Sequence, residues 1–234
     1  MNLNYQVFEK LKVKQPVSRI DYITQKAKNK KVLDLGSYDE TALFKNGTKH
    51  SLYTEISKVA TSLLGVDNST KILGPEIIIN PKSRIIKGDV QEISKELFEN
   101  IDFDIIIAGE LIEHLPNVLD FFRKIKKLFY GKEFICTTPN AISFSNILLG
   151  FLKRESTHRD HLQIYSYKVL NTLCLKCGFV KWDIIPYHVY YTEMIFKAKG
   201  YKKIILRFIE KIVNIFEDIF PLFSGGLILH VKQI

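Results

Sequence analysis

The sequence predicts an α/β domain built on a doubly wound, mostly parallel seven-stranded sheet with an antiparallel last strand. Short apolar runs rich in β-branched residues and leucine recur at 31–35, 63–67, 84–87, 103–108, 133–137, 179–185 and 227–231, the pattern of strands buried on both faces. Helical periodicity fills most of the gaps, and alternating strand and helix winds a parallel sheet covered on both sides. Four runs end in acids or glycines (Asp34 and Gly36, Asp67, Asp89, Gly109 and Glu110). Open sheets of this kind bind ligands outside the carboxyl ends of their strands.

In chain order, residues 1–30 are expected to form an N-terminal helical segment. Pro16 breaks it, and Ser18 with Asp21 caps a helix running to about residue 29. The strand at 31–35 ends in the tight turn of Gly36-Ser37, and a long polar loop then leads to a helix through Tyr53, Ile56 and Val59. Past the strand at 63–67, Gly74-Pro75 breaks any helical pattern, and residues 76–81 read as extended. A helix at 93–99 precedes the strand at 103–108. Pro116 suits the first turn of a helix with apolar residues at Val118, Leu119, Phe122, Ile125 and Phe129. Further helices are expected at 143–153 and 166–178. The whole of 1–234 reads as one domain, with a helical insertion at 186–226.

The net charge of +9 invites a nucleic-acid or anionic-membrane partner. A composition rich in lysine, isoleucine and asparagine accounts for it more simply, since no dense basic block appears. No run of eighteen apolar residues is present, and residues 1–15 lack the apolar core of a signal peptide. Cys136, Cys174 and Cys177 are an odd count, which suits a reducing cytoplasm, and the Cys174–Cys177 pair fits a helix core better than zinc or redox chemistry. Neither a phosphate-binding loop with its lysine nor a nucleophile elbow occurs.

These residues together resemble the class I S-adenosylmethionine-dependent methyltransferases, over roughly 17–185 and the last strand. Val32-Leu33-Asp34-Leu35-Gly36 is similar to the family's first motif, Gly65-Val66-Asp67 to its ribose-binding acid, and Gly88-Asp89-Val90 to its adenine-contacting acid. Ala108-Gly109-Glu110-Leu111-Ile112-Glu113-His114-Leu115 is the most specific match. With Thr137-Thr138-Pro139-Asn140 and Asp160-His161 it resembles the branch containing ubiquinone-type and small-RNA O-methyltransferases. The resemblance implies a Rossmann-like fold and S-adenosylmethionine as cofactor. It places Asp34, Leu35, Gly36 and Ser37 on the methionine and ribose side, Asp67 on the ribose hydroxyls, Asn68, Asp89 and Val90 at the adenine, and Gly109 and Glu110 beside them. Two glycines that usually continue the first motif are replaced by Tyr38 and Glu40, which keeps a catalytically silent binding subunit in play.

For catalysis the resemblance points to Glu113, His114 and His161, contacting the acceptor or taking its hydroxyl proton. The second reading is a divalent metal held by Glu110, Glu113, His114 and His161 or His158, as in the small-RNA branch. A third is purely structural. The acceptor is expected to be a small molecule, sugar or lipid-linked hydroxyl, ahead of RNA, for which no aromatic RNA-binding motif is found. The insertion carries Lys202, Lys203, Arg207 and Lys211 among Ile204, Ile205, Phe208, Ile212 and Phe216. That amphipathic pattern is expected first to pack on the domain or on a second subunit, and second to make peripheral contact with the inner face of a membrane.

Overall fold

A computed structural model describes residues 3–38, 50–98 and 101–234. Its sheet has the order β3-β4-β2-β1-β5-β6-β8-β7. The strands are β1 (Lys31–Leu35), β2 (Ser62–Asp67), β3 (Glu76–Asn80), β4 (Ser83–Lys87), β5 (Ile105–Gly109), β6 (Glu133–Pro139), β7 (Lys181–Tyr187) and β8 (Gly226–Gln233). β4, β2, β1, β5 and β6 pair in parallel, whereas β8 runs antiparallel between β6 and β7. The strand order reverses at β1 and β5, the switch point where a doubly wound sheet opens a crevice. An eighth strand joins the expected seven. Residues 76–80, read as extended, fold back as β3 and pair antiparallel with β4 at the sheet edge.

The helices are α1 (Arg19–Ala27), α2 (Leu52–Val59), α3 (Val118–Leu128), α4 (Phe144–Phe151), α5 (Tyr167–Cys177), α6 (Thr192–Lys197) and α7 (Tyr201–Ile219). Serine or asparagine caps five of them: Ser18, Ser51, Asn117, Ser143 and Ser166 each accept an amide of the first turn. Several expected boundaries move. The described part of the N-terminal segment is helical only in α1. The helix expected at 93–99 is a single 3-10 turn at Glu96–Phe98, with Glu99 outside the described residues. Pro116 lies just before the Asn117 cap, outside the helix. Pro186 and Tyr187 complete β7 and Gly226 begins β8, so the insertion is 188–225, holding α6, α7 and a 3-10 turn at Pro221–Phe223. The Cys174 and Cys177 thiols are free and buried, as a helix core requires.

The core lies on both faces of the sheet. On one, Phe122, Phe134, Tyr165, Tyr167 and Leu170 pack beneath α3 and α5; on the other, Ile23, Val32, Ile56, Ile105 and Ile228 pack beneath α1 and α2. Both layers leave the carboxyl ends of β1, β2, β4, β5 and β6 at one edge.

Candidate active site

β1 ends at Gly36, whose φ of +73° is a left-handed backbone that glycine adopts without cost. Its amide donates to the Val66 carbonyl at 2.9 Å, so the first turn is sewn to the end of β2. Leu35 is wholly buried and contributes only backbone. Ser37 does not face the crevice: its hydroxyl packs over Gly65, where a Cβ would stand 2.4 Å from Oγ. Asp67 closes β2. Its Oδ2 accepts the Tyr38 amide at 2.9 Å and its Oδ1 the Ser69 amide at 2.8 Å. Asp89 Oδ1 accepts the Gln91 amide at 2.8 Å. Asn68 beside Asp67 is exposed, and the Val90 side chain is buried. Burial, reinforced by the charge of Asp67 and opposed by Arg19, pushes the Asp34 carboxyl up to about 8. Glu40 lies outside the described residues.

β5 ends at Gly109, followed by Glu110 with φ +53°, a conformation uncommon outside glycine and asparagine. The turn is held by the Glu110 amide, which donates to both the carbonyl and the hydroxyl of Thr137 at 3.1 Å. Its carboxylate accepts the Tyr187 hydroxyl at 2.6 Å and the Thr137 hydroxyl at 3.1 Å, and pairs with Arg19 at 3.4 Å. Arg19 also lies over the Tyr187 ring. Tyr187 reaches this place because its cross-strand partner is Gly226, where any Cβ would overlap the phenol ring.

The segment after Glu110 is a single 3-10 turn, Ile112–His114. The structure therefore brings together Glu113, His114 and His161, each offering a ligand atom within 4.8 Å of the others. Glu110, proposed as a fourth ligand, is outside that group, bound instead to Tyr187, Thr137 and Arg19. Glu113 is 1% exposed, and neither carboxylate oxygen has a hydrogen-bond partner among the described residues. Burial, then the charge of Glu110, raises its carboxyl to about 8. Thr138 opposes the shift without a hydrogen bond of normal geometry.

His114 Nδ1 lies 3.1 Å from the Asp160 carbonyl. A carbonyl only accepts, so Nδ1 is the donor, and in the neutral ring Nε2 keeps its lone pair. The His161 ring stands edge-on to His114 with centroids 4.7 Å apart. Burial, with the charges of His114 and His158, holds its pKa below the usual value. His158, the other candidate, is turned to Asp160. The loop carrying His161 is pinned where the Leu162 and Gln163 amides donate to the Glu113 carbonyl. The site thus holds a carboxylate and two imidazoles at the carboxyl edge, across the switch point from Asp34 and Asp67.

Arg19, Tyr187 and Thr137 were not candidates. Arg19 precedes β1 and Tyr187 ends β7, and neither sits in a motif. Both Tyr187 and its partner Gly226 fall inside the insertion expected at 186–226, so no sequence signal joins them.

The family model described as a methyltransferase domain matches residues 4–184. No curated protein sequence matches the chain significantly. Among solved structures, an S-adenosylmethionine-dependent methyltransferase from Archaeoglobus fulgidus is similar at 15% identity and TM-score 0.54, over 91% of this chain and 90% of that one. The small RNA methyltransferase HEN1 is similar at 15% identity and TM-score 0.56, over 96% of this chain and 27% of that one. Phosphoethanolamine N-methyltransferase 2 of Haemonchus contortus, solved with S-adenosyl-L-methionine, gives 13% identity and TM-score 0.55, over 92% and 52%. At such identities the likeness is one of fold.

Proposed function

The chain belongs to the methyltransferase domain family, as a class I S-adenosylmethionine-dependent enzyme, and on that premise we propose that its acceptor is a hydroxyl oxygen. The observation that carries this reading is the convergence of Glu113, His114 and His161. An amine acceptor needs only to lose a proton to bulk solvent, whereas a hydroxyl must be polarised or deprotonated as it attacks the methyl group. The donor set supplies the means, and the acceptor is a small molecule, sugar or lipid-linked hydroxyl.

On the cofactor side, Asp67 would take the ribose hydroxyls. Its two backbone amides hold the carboxylate in place, and a carboxylate offers about four acceptor sites. Asp89 would accept the adenine amino group. Asp34 and the Gly36 turn would line the methionine side, near Arg19, which pairs with Glu110. The protein's task is to place the acceptor oxygen about 3 Å from the methyl in line with the departing sulfur.

On the acceptor side, the residues fit a divalent cation. The buried Glu113 carboxylate lacks partners, the His114 tautomer presents Nε2, and His161 completes a carboxylate–imidazole set of the kind such ions take. Bound there, a cation would lower the pKa of the acceptor hydroxyl. A second reading, favoured by the fixed tautomer of His114, is metal-free: His114 Nε2 takes the hydroxyl proton directly. RNA is the alternative acceptor under either reading, since the small-RNA enzyme is among the similar folds.

Calorimetry with manganese or magnesium, in the presence of S-adenosylhomocysteine, tests the choice without knowing the acceptor. Binding that Glu113→Gln removes supports the metal reading. No heat with either ion leaves the histidine base.

A further inference from the structure

We propose that the outer face of α7, together with α4, is a docking surface for an anionic lipid bilayer. An amphipathic helix packed on a domain turns its apolar face inward. α7 does the reverse. Ile204, Phe208, Ile212, Ile215 and Ile219 follow one another at helical spacing along one face and are 72%, 64%, 48%, 51% and 64% exposed. The helix meets the domain through a narrow stripe, of which only Val213 and Glu217 are buried. α4 joins it through the stacked rings of Phe144 and Phe216 and adds exposed Leu148 and Phe151. An apolar surface of this size marks an interaction site.

Charge decides the occupant. The three acids of α7 are all engaged with the segment after β7. Glu210 accepts the Tyr191 amide, Glu217 accepts the Val189 amide and bonds His188, and Asp218 pairs with the same histidine. The cations Lys202, Arg207 and Lys211 stay exposed along the borders of the apolar face. This pattern, apolar in the middle and basic at the rim, suits a helix lying in the headgroup region with its long cations reaching the phosphates. A second copy would bring the same basic rims together. No described helix is long and apolar enough to cross a membrane, so contact is from one side. The inference does not depend on the chemistry proposed above. It places a lipid-linked hydroxyl within reach, because α4 leaves the carboxyl edge directly after β6.

The test is sedimentation with vesicles of equimolar phosphatidylglycerol and phosphatidylcholine, against phosphatidylcholine alone, at low salt. The protein should pellet with the anionic vesicles and be released as salt rises. Phe208→Glu with Ile212→Glu should weaken binding at least tenfold. Replacing Lys202, Arg207 and Lys211 by glutamine should cost about fivefold per residue. These side chains are exposed, so unchanged melting curves are expected for both variants. Protein that stays in the supernatant with anionic vesicles at low salt overturns the proposal. So does a dimer that Phe208→Glu splits without any vesicle binding, which would assign the face to a second copy.

Discussion

On the β1–β2–β4 half of the carboxyl edge, Asp67 is gripped by amides of the loops after β1 and β2, and Asp89 by one of its own loop. On the β5–β6 half, Glu113 is buried deeper and no described residue hydrogen-bonds its carboxylate. Asp67 and Asp89 are preorganised, held in position before any ligand arrives. The second half stores an unmet demand that only a proton or a ligand satisfies, because a buried carboxylate without partners pays its full desolvation cost. Conserving energy is therefore not what the second half is built for. A buried carboxyl of this kind gains most when a proton or ligand arrives, as the proposed acceptor side would require.

Glu113→Gln breaks this contrast most severely. Loss of the carboxylate should lower activity by about 10²–10⁴-fold, the range for removing a group that moves or polarises a proton. In chelator, the same change should raise stability at alkaline pH. The Glu113 carboxyl is raised from 4.5 to about 8, so the folded state holds a proton that the unfolded state releases. Wild-type stability falls as pH rises from 4.5 through 8, and glutamine escapes that loss. Melting curves should coincide near pH 4.5 and separate by pH 9, the variant melting higher. Coincident curves at both pH values would mean that Glu113 is not buried uncompensated.

Tyr187→Phe probes the one acid on the β5–β6 half that is satisfied. It removes the hydroxyl donated to Glu110 at 2.6 Å, a loss of about 1 kcal/mol, or about 2–4 °C in a chain of this size. Metal affinity should be unchanged, since Glu110 lies outside the ligand group. A large drop in metal binding would return Glu110 to the site.

Glu133, remote from both halves, gives the smallest effect and serves as a control. His230, followed by Lys30, holds its carboxyl down to about 2 from 4.5. The bond comes from a neutral imidazole, because burial keeps His230 below its usual value while Tyr22 donates to its other nitrogen. Stability from this pair is complete above 4.5 and is lost as pH falls through 2. Glu133→Gln should melt slightly lower at pH 7, and the difference should vanish at pH 2. A gap that persisted at pH 2 would show another origin.

The strand-end acids were legible because each stands at the close of an apolar run, and backbone pairing leaves little freedom there. The orientation of Glu110 was not. One residue in the left-handed region sends its carboxylate toward Arg19 and Tyr187, which no spacing in the sequence shows. Arg19 opens α1 and Tyr187 closes β7, and they meet only in the folded chain. The pairing of β3 with β4 required knowing that an extended edge segment would find a partner. For α7 the periodicity was plain, but periodicity does not say which face turns inward. Most of the apolar face is left exposed by the domain, while Val213 and Phe216 pack on it.

The central claim is that the frame of Asp34, Asp67 and Asp89 binds the methyl donor. Titration calorimetry of S-adenosylhomocysteine into the wild-type protein and into Asp67→Ala tests it most directly. The wild type should bind, and the variant should bind at least 100-fold more weakly while still folding, since two charge-assisted hydrogen bonds are worth about 1.5–3 kcal/mol each. Equal affinity in the two proteins, or no binding by the wild type, would contradict it.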